Sequence, residues 1–388
     1  MTDGVGLAEP EDERAAGEEP TEFGEKRVSY AEAFFDLVFV LCVTQISGLL
    51  HGEHDWAGVG RALIVFIPVF WCWVGTSVLA NTRDTDNPRG RIGIFAVGLC
   101  GLFLALALPQ AYGPRGLLFG GAYLAARWLL GGQIAAAGGV LVGPMGMGAL
   151  VTGPLMLTGG FVHGHARLTL WAVAAGLDLL TPVLARRQLL AVRFHPTHLP
   201  ERFALFLLIA LGEAIVSIGG PVAAGPTLRA DEVLAVAVGF VAACGLWWVY
   251  FGYAADAMRH AMTTSRVPTD IVRQVLSYGH LAFVGGVIAF AAGVSAAATH
   301  PDERLPTGAL ALLFGGCVLF LATFGYTRWR MFRKMAWPRL ISAGAVLLVA
   351  PLCARLPALG ALGALAGALL LLNAVEYWRV ERSPRHEV

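Results

Sequence analysis

Glu32 and Asp36 lie one helical turn apart in EAFFDLVFVLCVTQIS, at the start of a long apolar run. Four-residue spacing puts both carboxylates on one face of a helix. Other ionisable groups interrupt equally apolar sequence: Arg127, Asp178 in AAGLDLLTP, Glu213 in IALGEAIVS and His280 in SYGHLAF. More gather where apolar runs end or begin, with Arg83, Asp84 and Asp86 in NTRDTDNP and Glu201 and Arg202 in HLPERF. In apolar surroundings such groups either carry protons and ions or pair as staples between helices. Glu213, with apolar neighbours on both sides, is the natural proton-exchanging carboxyl. Asp36–Arg127 and Glu32–Arg83 are candidate staples. Together these residues outline a substrate or proton pathway.

The elements that hold them are membrane helices. The chain is 56% hydrophobic and 14% charged, with a mean hydropathy of +0.65. A soluble domain has roughly a quarter of its residues charged. About twelve apolar runs are long enough to cross a bilayer: residues 31–50, 59–80, 92–111, 116–136, 141–161, 168–185, 202–220, 232–252, 276–298, 307–327, 338–354 and 357–377. The expected fold is an all-α polytopic membrane protein. Its surroundings are the lipid bilayer, and the net charge of +1 gives no reason to expect a nucleic-acid partner. Cys42, Cys72, Cys100, Cys244, Cys317 and Cys353 all fall inside apolar runs, without CxxC spacing, and read as small buried hydrophobes.

Lysine and arginine set the orientation, since they accumulate in cytoplasmic loops. With the N-terminus inside, only Arg61, Arg115, Arg167, Arg229, Arg304 and Arg355 fall in outer loops, and the inner segments hold nearly all the rest. Both termini are therefore expected in the cytoplasm of a cell with this protein in its plasma membrane. The ionisable groups then lie at or below mid-depth on the inner side, as a polar cavity or ion-pair network opening inward. Residues 1–29, acidic and poor in large apolar side chains, are expected to form a disordered cytoplasmic tail. Residues 381–388 form a second short tail. The first tail lacks the basic start and apolar core of a signal peptide.

Two halves resemble one another. EAFFDL at 32 and ERFALF at 201 both begin Glu-x-Phe, WCWV at 71 and LWWV at 246 share paired tryptophans, and YLAARW at 123 matches YTRW at 326. Residues 30–190 and 191–380 are expected to be two parallel six-helix repeats. Trp71, Trp73, Trp247, Trp248 and Tyr250 lie deeper than an interfacial belt, either packing or lining a cavity. His195 and His198 have HxxH spacing, but Pro196 and Pro200 break regular helix there and no acidic or Cys partner stands at ligand spacing. His163 and His165 are no better placed. No metal or cofactor is expected, and nucleotide-binding and hydrolase motifs are absent.

The motifs FFDLVFVLCVTQIS, W-x-W followed by NTRDTDNP, HLPERFALFLLIALGEAIVSIG, LWWVYF and YGHLAFVGGVIAFAAGV occur in this order. Together they resemble the bacterial low temperature requirement A family, over about residues 27–380. The motif positions are Glu32, Phe35, Asp36, Arg83, Asp84, Asp86, Glu201, Arg202, Phe203, Gly212, Glu213 and His280, and Ala33 departs from the Leu of ELFFDL. The resemblance implies a polytopic membrane protein connected with growth in the cold and names no reaction. The foremost functional expectation is a secondary transporter, possibly proton-coupled, of an unread small molecule or ion. The alternatives are a membrane stress or cold-adaptation factor without transport, and a membrane-embedded enzyme acting on a lipid-like substrate. The residues do not set an oligomeric state.

Overall fold

The computed structural model describes residues 26–52, 55–136 and 143–382, and these are helical with short connections. The expectations for tails at 1–29 and 381–388 fall almost wholly outside the described residues. The helices are α1 (Tyr30–Gly52), α2 (Trp56–Thr82), α3 (Pro88–Ala107), α4 (Gly116–Ala136), α5 (Gly143–Met147), α6 (Gly153–Phe161), α7 (Gly164–Leu184) and α8 (Arg186–Leu189). They continue as α9 (His198–Ala223), α10 (Ala230–Phe251), α11 (Ala254–Thr264), α12 (Pro268–Ile271), α13 (His280–Thr299), α14 (Thr307–Phe332), α15 (Trp337–Cys353) and α16 (Ala358–Arg382). Two π-helical segments, Gly148–Thr152 and Val272–Gly279, join α5 to α6 and α12 to α13.

Local chemistry explains several boundaries. Asp55 caps α2 by accepting from the Gly58 N–H at 2.6 Å. Asn87 caps α3 by accepting from Gly90, and Pro88 follows at the first helical position, where no N–H is needed. Ser29 Oγ accepts from the Glu32 N–H at 3.3 Å and donates to Glu32 Oε1 at 3.2 Å. At α9 the sequence reading is corrected. Pro200 does not break the helix, because it sits in the first turn of a helix that starts at His198.

Among the described residues, nine helical stretches are long and apolar enough to cross a membrane. The sequence suggested twelve, and the difference lies in three stretches. α4 carries Arg127 and several glycines. Residues 143–161 are interrupted by a π segment. α15 is 17 residues long. The outward surface is apolar: Leu99, Phe103, Leu106, Leu348 and Leu371 are all exposed. A continuous belt of this kind would be a liability in water and is what a bilayer requires. Trp247 and Trp248 belong to this belt, 41% and 49% exposed, whereas Trp71, Trp73 and Tyr250 are buried. Cys244 also faces outward, against expectation, and the other five cysteines are buried.

Helix neighbours follow one order twice. α1 packs on α2 and α3, α3 on α4, α4 on α6, α6 on α7, and α7 returns to α2. In the second half α9 packs on α10 and α13, α13 on α14, α14 on α15, α15 on α16, and α16 returns to α10. The halves meet where α1 and α2 contact α9 and α1 contacts α13. α13 and α14 cross closely. A Cβ on Gly316 would stand 2.5 Å from the Phe290 backbone nitrogen, so only glycine allows these backbones their approach.

Candidate functional site

The central site forms where the two halves meet. α1 presents Glu32 and Asp36 from consecutive turns, α2 presents Trp73, Ser77 and Asn81, and α9 presents His198 and Arg202. All seven side chains are buried. Arg202 is the hub. Its Nη1 donates to Glu32 Oε2 at 2.7 Å, its Nη2 to Asp36 Oδ1 at 3.0 Å and its Nε to Ser77 Oγ at 2.9 Å. Trp73 Nε1 donates to the same Asp36 Oδ1 at 2.7 Å. The guanidinium also lies beside the Phe35 and Trp73 rings, 5.7 and 5.9 Å from their centroids, and Phe206 stacks on Trp73 at 4.1 Å.

His198 takes a defined tautomer. The Asn81 amide is oriented by the His195 backbone, accepting from its N–H at 3.0 Å and donating to its carbonyl at 3.1 Å. The Asn81 NH2 group therefore faces His198 Nδ1 at 3.3 Å as a donor. Nδ1 must accept, which leaves the ring proton on Nε2. Nε2 lies 3.1 Å from Glu32 Oε2, but its N–H is not aimed along that line, and it counts among the buried atoms without a hydrogen bond. The contact is an electrostatic one.

The charges of this cluster do not balance. One guanidinium is hydrogen-bonded to two carboxylates. Asp36 Oδ2 is buried with no hydrogen-bond partner. Lys26 is nearby, but its ammonium donates to the carbonyls of Ala80, Asn81 and Arg83 at the end of α2. There it complements the negative end of the helix. Burial pulls the Lys26 ammonium below the ordinary lysine range, against the opposing pull of Glu32, Asp84 and Asp86.

A second cluster is balanced. Arg127 of α4 pairs with Asp178 of α7, Nη2 to Oδ1 at 2.8 Å, with both side chains buried. Tyr123 donates to Asp178 Oδ2 at 2.5 Å and accepts from Arg127 Nε at 3.0 Å. Thr152, at the end of the first π segment, donates to Asp178 Oδ1 at 3.0 Å. Gly148 in that segment makes room for the pair, since a Cβ there would stand 2.6 Å from Arg127 Nε. Gly148→Ala is expected to displace the guanidinium and cost about 1–3 kcal/mol, as overpacking does. Thermal melting in detergent measures it, with Gly176→Ala, which meets no atom within 4 Å, as the control. The cost should largely vanish in an Arg127→Met background, because the two changes share one contact.

His280 stands apart from both charge clusters. Its Nδ1 faces the Val275 carbonyl at 3.3 Å and its Nε2 faces the Tyr250 hydroxyl at 2.7 Å. That pairing places its proton on Nδ1 and lets Nε2 accept from Tyr250. Phe203 bridges the gap, edge-on to His280 at 4.9 Å and to Trp73 at 4.7 Å.

The remaining sequence candidates are dispersed. Asp84 and Asp86 are exposed. Asp84 Oδ1 accepts from the Asp86 N–H at 2.9 Å, and Asp86 pairs with Arg91 at 3.0 Å. They share with Glu32, Lys26 and Arg91 the lining of an open vestibule of about 810 Å³. Arg83 is half-buried on another cavity. Glu201 is half-buried with its side chain outside the cluster. Glu213 is buried and accepts from Ser217 at 3.0 Å. At 1.5 Å per residue it lies ~16 Å along α9 from Arg202. The expected Asp36–Arg127 and Glu32–Arg83 staples do not form, because Arg202 takes both carboxylates of α1 and Asp178 takes Arg127. Ser77, Asn81, Tyr123 and Thr152 went unselected by sequence, since neutral polar groups in apolar helices give little signal. His198 shows in sequence only as half of an HxxH pair, and the structure makes it a partner of Asn81 and Glu32 instead. Among the described residues, no group of three or more His, Cys, Asp or Glu could hold a metal ion.

Comparison with known proteins adds a family. Residues 27–374 match the family model described as bacterial low temperature requirement A protein. A curated protein of Rhizobium meliloti (strain 1021), described as uncharacterized, is 29% identical over 313 residues, covering 76% of each chain. No solved structure matches.

Proposed function

This chain belongs to the bacterial low temperature requirement A family of membrane proteins, and we propose that it is a proton-linked secondary transporter whose coupling site is the Glu32–Asp36–Arg202 cluster. The observation that carries this reading is the imbalance of that cluster: two buried carboxylates, one guanidinium, and Asp36 Oδ2 without a partner. An uncompensated charge away from water is costly, and a shared proton removes the cost. The vestibule lined by Glu32, Asp84 and Asp86 gives that proton a way in. Glu213 marks a later station along α9.

The recurring neighbour order supports two parallel six-helix repeats, and the coupling site then lies between the repeats, as in transporters that rock one half against the other. Twelve crossings follow if residues 116–136, 143–161 and 337–353 also traverse the bilayer. The lysine and arginine distribution supports a position for Lys26 and the vestibule at the cytoplasmic face of the plasma membrane. The substrate is a small molecule or ion.

A pH-jump titration of purified protein in weakly buffered detergent tests the reading. Wild type is expected to take up about one more proton per chain than Asp36→Asn between pH 8 and pH 5. The variant should stay folded, because an amide replaces a group that needs no second charge. Equal uptake by the two proteins, both folded, would remove Asp36 from any proton pathway. The cluster would then be a staple between halves, and the adaptation-factor reading would take its place.

A further inference from the structure

A separate cavity of about 260 Å³ opens beside the second cluster, between α2, α7 and the Pro268–Gly279 stretch. Most of its wall is apolar, including Trp71, Val74, Val78, Leu79, Val192 and Phe194. Its charged lining residues are all arginines: Arg83, Arg127 and Arg273. No carboxylate lines it.

Those positive charges are unequally matched. Arg127 is neutralised by Asp178. Arg273 shares Asp270 with Arg186, which binds that carboxylate with two nitrogens at 3.1 and 2.8 Å, while Arg273 Nη2 has it at 2.9 Å. One carboxylate therefore serves two guanidiniums. The Arg273 side chain is 10% exposed, and its buried Nε has no hydrogen-bond partner. Arg83 has no ion-pair partner among the described residues. The cavity thus joins an apolar trough to an excess of positive charge with an unused donor.

We infer that this cavity binds an anionic amphiphile: one short apolar chain ending in a carboxylate or phosphate, with the anion against Arg273 and Arg83. A free cation would be repelled, and a neutral hydrocarbon would leave the Arg273 donor unmatched. Small-molecule sites run from roughly 300 Å³ upward, so the volume suits a single short chain better than a two-chain lipid held whole. The chain could come from the bilayer or from water, and the chemistry of the site is the same for both. Occupancy does not depend on proton linkage at Asp36.

The test is calorimetric titration of the full-length protein in phosphatidylcholine nanodiscs with dodecyl phosphate, corrected against empty nanodiscs. One saturable site per chain is expected. Arg273→Gln should weaken binding at least tenfold, Arg273→Lys should recover part of it, and Val78→Trp, which fills the trough, should abolish it. Dodecyltrimethylammonium should not bind. Comparable binding of the cation, or dodecyl phosphate binding unchanged in Arg273→Gln, would overturn the assignment. So would intact binding by a Val78→Trp protein that melts like wild type. If Val78→Trp fails to fold, the arginine variants decide. Replacing part of the phosphatidylcholine by phosphatidylglycerol separates the sources. Competition supports a ligand drawn from the bilayer, and its absence supports one drawn from water.

Discussion

Arg202→Met should lose about 3–5 kcal/mol of stability, the usual consequence of removing one partner of a buried ion pair. The melting temperature in detergent should fall by on the order of 10 °C. Methionine fills much of the volume but carries no charge. It leaves Glu32 and Asp36 without a counter-charge, with Trp73 Nε1 still donating to Asp36 and Ser29 Oγ to Glu32. The damage is electrostatic, so it should be repairable. A triple variant, Arg202→Met with Glu32→Gln and Asp36→Asn, should melt well above the single variant, since no buried charge is left without a counterpart. If the triple variant is no better than the single one, the contribution of Arg202 is packing against Phe35 and Trp73, and the charge argument fails.

The second large effect is expected at the opposite end of the bundle. Arg167 lies in the first turn of α7, buried and without a carboxylate. Its Nε donates to the carbonyls of Gly159 and Val162 at 3.1 and 2.9 Å, its Nη1 to those of Ala111 and Gly113 at 2.9 and 2.7 Å, and its Nη2 to that of Gly160 at 3.3 Å. Residues 159–162 close α6, and residues 111–113 follow the short turn after α3. A single cation thus terminates two chain segments whose carbonyls have no helical partners. Helix ends of this polarity attract positive charge. Arg167→Met strands several buried carbonyls at about 1–3 kcal/mol each. Little folded protein is expected by size-exclusion chromatography after mild heating. Arg167→Lys should recover only part, because an ammonium is a point donor and the guanidinium is a planar fork. A methionine variant melting within a few degrees of wild type would show that water can replace these bonds.

The sequence made the membrane class legible because twenty-residue apolar runs leave few alternatives. It made the buried charges legible because each one contradicts its surroundings. Partners were another matter. Glu32 and Arg202 are 170 positions apart, and nothing in either local sequence specifies the other; only the packing of α1 on α9 does. Arg167 falls just before the apolar run at 168–185 and so in an outer loop by sequence; the chain buries it under backbone carbonyls, and a sequence does not display carbonyl geometry. His198 was obscured by two neighbouring prolines, which suggested a broken segment when Pro200 in fact helps to start the helix. Three further stretches read from sequence as spans are shorter, interrupted by a π segment or carry a buried arginine, features that hydropathy does not register because it is blind to an arginine's partner and to a π segment's wider winding.

That wider winding links two parts of the molecule. Val272–Gly279 carries Arg273 of the arginine-lined cavity near its start and is followed directly by His280, against Tyr250. A regular α-helix advances by about 100° per residue, and a π segment holds an extra residue without lengthening the turn count. The segment therefore sets the angular phase between what comes before it and what comes after. Rewinding the same residues as regular helix, with the extra residue kept, would swing one end about 100° relative to the other. Either Arg273 would leave its cavity or His280 would leave its tyrosine. The register of this one helix is thus a constraint on insertions, which should be tolerated far less here than in the loops around residue 226 or residue 304.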